Sequence, residues 1–69
     1  MTLDVAFDRE EDGRWIADIP ALPGVTAYGG TREEALHRVK ALALHVVADR
    51  IEHGEADEDS VTFVVSAAA

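Results

Sequence analysis

Pro20-Ala21-Leu22-Pro23-Gly24-Val25-Thr26-Ala27-Tyr28-Gly29-Gly30-Thr31-Arg32-Glu33-Glu34-Ala35 runs through a loop, a short strand and a helix start without a break. Pro20 and Pro23 each remove an amide donor, and Gly24 follows directly, so residues 20–24 form a loop rather than part of a ladder. Residues 25–28 leave room for a short strand before Gly29-Gly30 breaks the chain. Thr31 with Glu34 three residues on makes a capping box, its hydroxyl meeting an orphan amide and its carboxylate returning to the Thr31 amide. No Gly or Pro then intervenes before Gly54, so the helix is predicted to run to about His53 and to stop at Gly54 in a left-handed conformation.

Upstream, residues 2–7 alternate, with Leu3, Val5 and Phe7 on one side and Thr2, Asp4 and Ala6 on the other, the period of a half-buried strand. Arg9-Glu10-Glu11-Asp12-Gly13 supplies charge and a glycine for a hairpin. In the second strand Trp15, Ala17 and Ile19 point one way and Arg14, Ile16 and Asp18 the other. Downstream, residues 55–60 form an acidic loop, Val61-Thr62-Phe63-Val64-Val65 a last strand and residues 66–69 a small-residue tail. The element order is therefore β-β-β-α-β, an α+β fold read as a single domain over residues 1–69. Two hairpin-type turns make the first three strands an antiparallel meander, and a right-handed crossover through the helix returns strand four parallel to strand one. The expected mixed four-stranded sheet has the order 3-2-1-4 with one helix on one face. The other face, carrying Asp4, Ala6, Ile16, Asp18, Thr62 and Val64, is left open to solvent or a partner.

On a helical wheel Ala35, Leu36, Val39, Leu42, Ala43, Val46 and Val47 form one apolar stripe, and Leu44 and Ile51 extend it beyond what a sheet face would cover. Lys40 and Arg50 lie within or beside that arc, where their aliphatic stems can cover apolar surface. The surplus apolar positions predict a second contact. Phe63, Val64 and Val65 on the last strand add an unprotected pairing edge, so Leu44, Ile51, Phe63, Val64 and Val65 are the candidate contacts of a homo-oligomer, a dimer or tetramer.

A chain of 69 residues buries a small core, and with no cysteine it has neither a disulfide framework nor a thiolate zinc site to reinforce it. Fourteen acidic against six basic residues give a formal charge of -8, a field that repels phosphate backbones and anionic headgroups. Direct nucleic-acid binding by this chain alone is not expected. No apolar run approaches the length of a membrane span and the first residues lack the pattern of a signal peptide, which predicts a cytoplasmic protein.

The ordered combination Trp15-Ile16-Ala17-Asp18-Ile19-Pro20-Ala21-Leu22-Pro23-Gly24 and then Gly29-Gly30-Thr31-Arg32-Glu33-Glu34-Ala35 resembles the HicB antitoxin family. That family has an aromatic strand, a Pro-x-Leu-Pro-Gly loop, a short strand, a glycine and a Thr-x-Glu-Glu-Ala helix start. The resemblance implies a partial RNase H-like fold and a non-enzymatic antitoxin that binds a small basic HicA-type toxin, an mRNA-cleaving ribonuclease, and blocks it. Where the family often has Cys after Pro-Gly this chain has Val25. Family members usually continue into a C-terminal DNA-binding domain, so the resemblance is to the antitoxin domain and operator binding does not carry over. Against a basic partner the acidic positions become candidates for its contact: Asp8, Glu10, Glu11 and Asp12 on the first hairpin and Asp18 on the open face.

Other chemistry finds little support. A nuclease needs several carboxylates converging on metal ions. Asp4 or Asp8 and Glu33 or Glu34 are available, but residues 61–65 carry none. His37, His45 and His53 recur every eight residues and drift around the helix by roughly 80° per step, so they cannot share one ion. Trp15 is placed toward the helix as a packing residue, and Thr31 is a cap with no nucleophile-base-orienter set around it. No cofactor is expected.

Overall fold

The computed structural model describes residues 1–65; the small-residue stretch 66–69 lies outside the described residues. The elements are β1 (Thr2–Arg9), β2 (Trp15–Asp18), β3 (Thr26–Gly29), α1 (Arg32–Glu52) and β4 (Thr62–Val65). They form one four-stranded sheet in the order β3-β2-β1-β4. β1 pairs antiparallel with β2 and parallel with β4, and β2 pairs antiparallel with β3. This is the α+β architecture and the strand order expected from the turns.

β1 runs two residues further than the alternation suggested, because the hairpin closes tightly. The Glu10 amide donates to the Arg14 carbonyl at 2.8 Å and the Gly13 amide to the Glu10 carbonyl at 2.9 Å. Gly13 has φ of 90°, so the reversal is a type I turn finished by a left-handed glycine. Beyond β2, two turns follow in series. The Leu22 amide donates to the Ile19 carbonyl at 2.9 Å and the Val25 amide to the Leu22 carbonyl at 3.0 Å. The second has Pro23 and Gly24 at its centre, Gly24 at φ 85°, the type II arrangement. Leu22, between the two turns, points inward and is only 2% exposed.

The helix is capped at both ends. The Glu34 amide donates to the Thr31 hydroxyl at 3.1 Å. The Glu34 carboxylate does not return to the Thr31 amide as the capping box predicted. It accepts from the Gly30 amide at 3.5 Å, because Arg38 one turn on holds the same oxygen at 2.9 Å. At the C-terminus the Gly54 amide donates to the Ile51 carbonyl and the Glu55 amide to the Arg50 carbonyl, with Gly54 at φ 71°, which is a Schellman closure.

α1 lies over β2 and β3. Its contact line is Ala35, Val39, Ala43 and Val47, and the core is completed by Leu3, Val5, Ala17, Ile19, Leu22 and Val25. Leu36 and Val46 flank this line partly buried, whereas Leu42, counted in the apolar stripe, is exposed. Leu42 lies at the edge of the apolar arc, to one side of the Ala35-Val39-Ala43-Val47 line, and the sheet leaves it uncovered. Trp15 packs half-buried against the core, with the Arg9 guanidinium 5.3 Å from its ring centre. Arg32 over Phe7 and Lys40 over Phe63, at 4.2 and 5.6 Å, roof the other partly buried aromatics.

Candidate partner-binding surface

The face of the sheet away from α1 is built by strand alternation. Cross-strand pairing sets Asp8 beside Ile16 and Ile16 beside Tyr28, and in the next row Ala6 beside Asp18 and Asp18 beside Thr26. These six residues line a shallow depression. The Thr26 hydroxyl donates to Asp18 Oδ1 at 2.8 Å and the Arg9 amide to Asp8 Oδ1 at 2.7 Å, which orients both carboxylates. Asp4 continues the face toward β4, paired with Val64.

A second concavity, at the hairpin tip, is lined by Glu10, Glu11, Asp12 and Arg14. Here the four acids on the hairpin part company. Asp12 accepts from the Arg14 amide at 3.0 Å and meets the Arg14 guanidinium at 2.9 Å. Among the described residues Asp8, Glu10, Glu11 and Asp18 are in no ion pair. The Arg14 amide, with the guanidinium charge as a lesser cause, holds the Asp12 carboxyl below the usual aspartate range. Its contribution to hairpin order is therefore present above the unfolded-state value and fades as pH falls through the lower folded value. An NMR pH titration is expected to place the Asp12 midpoint below that of an ordinary aspartate. Because the backbone amide is the larger cause, Arg14→Gln should leave part of that depression in place; full return to the ordinary value would contradict this geometry.

Tyr28 is the surface residue the sequence did not single out. It is 43% exposed, faces the open side and has the Arg14 guanidinium 5.1 Å from its ring centre. Its position follows from alternation once β3 is known to start at Thr26. The open side thus combines carboxylates with an exposed aromatic and a half-buried Ile16.

The remaining candidates are dispersed. Val64 lies exposed on the open face, while Phe63 and Val65 pair with Leu3 and Val5 and sit on the core side, half-buried. Leu44 and Ile51 are exposed on the helix, 47% and 43% respectively. Asp4 and Asp8 are on the open face, whereas Glu33 and Glu34 belong to the helix layer behind it, with Glu34 bound to Arg38. His37, His45 and His53 are all exposed, and His53 caps the helix end with Nδ1 2.7 Å from the Asp49 carbonyl. Among the described residues no three metal-ligating side chains come together, and no helix is long and apolar enough to cross a membrane.

Over 55 residues the chain is 33% identical to the UPF0150 protein Ta0767 of Thermoplasma acidophilum, a match that takes in 80% of each chain. The chain belongs to the UPF0150 family. No protein-family model matches this UPF0150 chain, and no solved structure matches it significantly.

Proposed function

We propose that this UPF0150 chain is the antitoxin of a type II toxin-antitoxin pair, which binds a small basic mRNA-cleaving HicA-type toxin and neutralises it by occlusion. The reading rests on the HicB-like order of strand, Pro-x-Leu-Pro-Gly loop and capped helix, and on one observation above others. Asp8 and Asp18, both outside any ion pair among the described residues, share the open face with Tyr28, and the unpaired Glu10 and Glu11 extend that surface at the hairpin. A ribonuclease that holds RNA must present positive charge. Carboxylates placed where phosphates would lie speed encounter and exclude the substrate, while an aromatic beside them supplies desolvated contact area. No residue of the antitoxin has to react, and a partial RNase H-like ancestry is compatible with a surface that no longer cuts.

The test is co-expression with the basic product of an adjacent gene, followed by affinity measurement over a salt series. The combined Glu10→Lys, Glu11→Lys and Asp18→Asn substitutions are expected to weaken binding at least about tenfold at low salt and to flatten its salt dependence. Unchanged affinity and slope would reject the surface. A homo-oligomeric module without a toxin is the second reading, favoured by exposed Leu44, Ile51 and Val64; failure to find any basic partner would leave that one standing.

A further inference from the structure

On the side of α1 turned away from the sheet, Ala41, Leu44, Ala48 and Ile51 are all exposed. Their steps of three, four and three residues are those of a helix-helix seam, and they are separate from the core line Ala35-Val39-Ala43-Val47, which advances by fours. One helix with two apolar lines has two partners, and the sheet is only the first. We propose that the second is another copy of this chain, held by an antiparallel α1-α1 pair about a two-fold axis.

The seam is complementary to itself when one copy is reversed. With Leu44 set against the partner's Ala48, Ala41 falls against the partner's Ile51, and the axis repeats both contacts. Every layer then joins one large side chain to one alanine, which permits close approach without a void. A parallel pair stacks Leu44 on Leu44 and Ala48 on Ala48, making layers that are alternately overfilled and underfilled. Charge agrees with the reversed register. Arg38 and Glu52 lie on the same flank of the seam near opposite ends of the helix, so the reversed register sets each Arg38 level with the partner's Glu52. Arg38 is already oriented, by Glu34 at 2.9 Å and by the Tyr28 carbonyl at 2.9 Å.

The contact spans about three turns, at the small end of specific interfaces, so the dimer is expected in the micromolar range or weaker. Each copy carries a net charge of -8, and their mutual repulsion is screened by salt. Self-association should therefore strengthen as salt rises, opposite to an acidic surface binding a basic toxin. The inference does not depend on the antitoxin reading. It concerns the layer opposite the open face and would survive the loss of that partner.

Sedimentation equilibrium of the full chain from about 10 µM to about 1 mM is expected to show a monomer-dimer equilibrium that tightens with salt. Leu44→Glu and, separately, Ala48→Glu should each lower the association constant at least about tenfold without changing the circular dichroism melt, since both sites are exposed. The chain has no cysteine, so Leu44→Cys and Ala48→Cys proteins can be mixed and oxidised. Intact-mass analysis is expected to find the unlike pair as the main disulfide-linked product. A chain that stays monomeric throughout, both glutamate variants dimerising like the parent, or like-with-like disulfides predominating would each overturn the proposal.

Discussion

Gly29→Ala is expected to lower the unfolding free energy by about 2–3 kcal/mol, because the added methyl has nowhere to go. A Cβ at Gly29 would stand 2.5 Å from the Ala35 amide nitrogen, 2.9 Å from Glu34 Cβ and 3.0 Å from the Glu34 carbonyl carbon. Two of these are backbone atoms in the first turn of α1, so no flexible side chain can swing aside. Either β3 or the helix start must shift, and the helix start carries the Thr31 cap. In a domain of this size the loss corresponds to a drop of roughly 10–20 °C in Tm, a large part of a total stability of roughly 3–10 kcal/mol. The adjacent residue is the control. Gly30 has no positive φ, and its Cβ would meet nothing within 4 Å, so Gly30→Ala should stay within about 0.5 kcal/mol of the parent. Equal effects at the two sites in urea denaturation would refute the steric account.

Leu22→Ala is expected to cost about 2–5 kcal/mol, the range for emptying a buried leucine site. Leu22 sits between two turns, with its amide bonded to the Ile19 carbonyl and its carbonyl accepting from the Val25 amide. Those bonds hold the backbone in place, so the loop cannot collapse into the space the side chain leaves. Ile19 and Val25, its neighbours in the core, would lose contacts with it. Leu42→Ala on the exposed flank of α1 should cost under about 0.5 kcal/mol. Chemical denaturation of the pair separates the cost of emptying a buried site from that of truncating an exposed leucine, since both remove the same atoms.

The architecture was legible because this chain is heavily punctuated. Pro20, Pro23 and Gly24 stop the second strand, Thr31 starts the helix and Gly54 ends it, and the short connections leave one economical sheet order. The placement of Asp18 on the open face followed from alternation alone, whereas Asp8, read with the first hairpin, joins that face because β1 runs on to Arg9. What was hidden depended on distances between elements. A glycine pair announces a break, but only the angle at which the helix leaves β3 decides that Gly29 needs the space and Gly30 does not. Leu22 reads as a loop residue, and nothing local says that the loop folds back over the core. A helical wheel put Leu42 in the stripe because it gives the angle of each residue and not how far around the helix the sheet reaches. The pairing of Asp12 with Arg14 is local, yet it emerges only from the tight three-residue reversal that sets the Arg14 amide against the carboxylate.

β1 is divided lengthwise between its neighbours. Residues 2–5 pair with β4 and residues 6–9 with β2. β4 is an edge strand held by β1 alone within the sheet, so it can open while the β1-β2 ladder stays closed, a subglobal fluctuation rather than unfolding. Asp8, Asp18 and the hairpin tip all rest on the half of β1 that such an opening spares; only Asp4 belongs to the other half. Fraying at the β4 edge would therefore leave the acidic surface assembled.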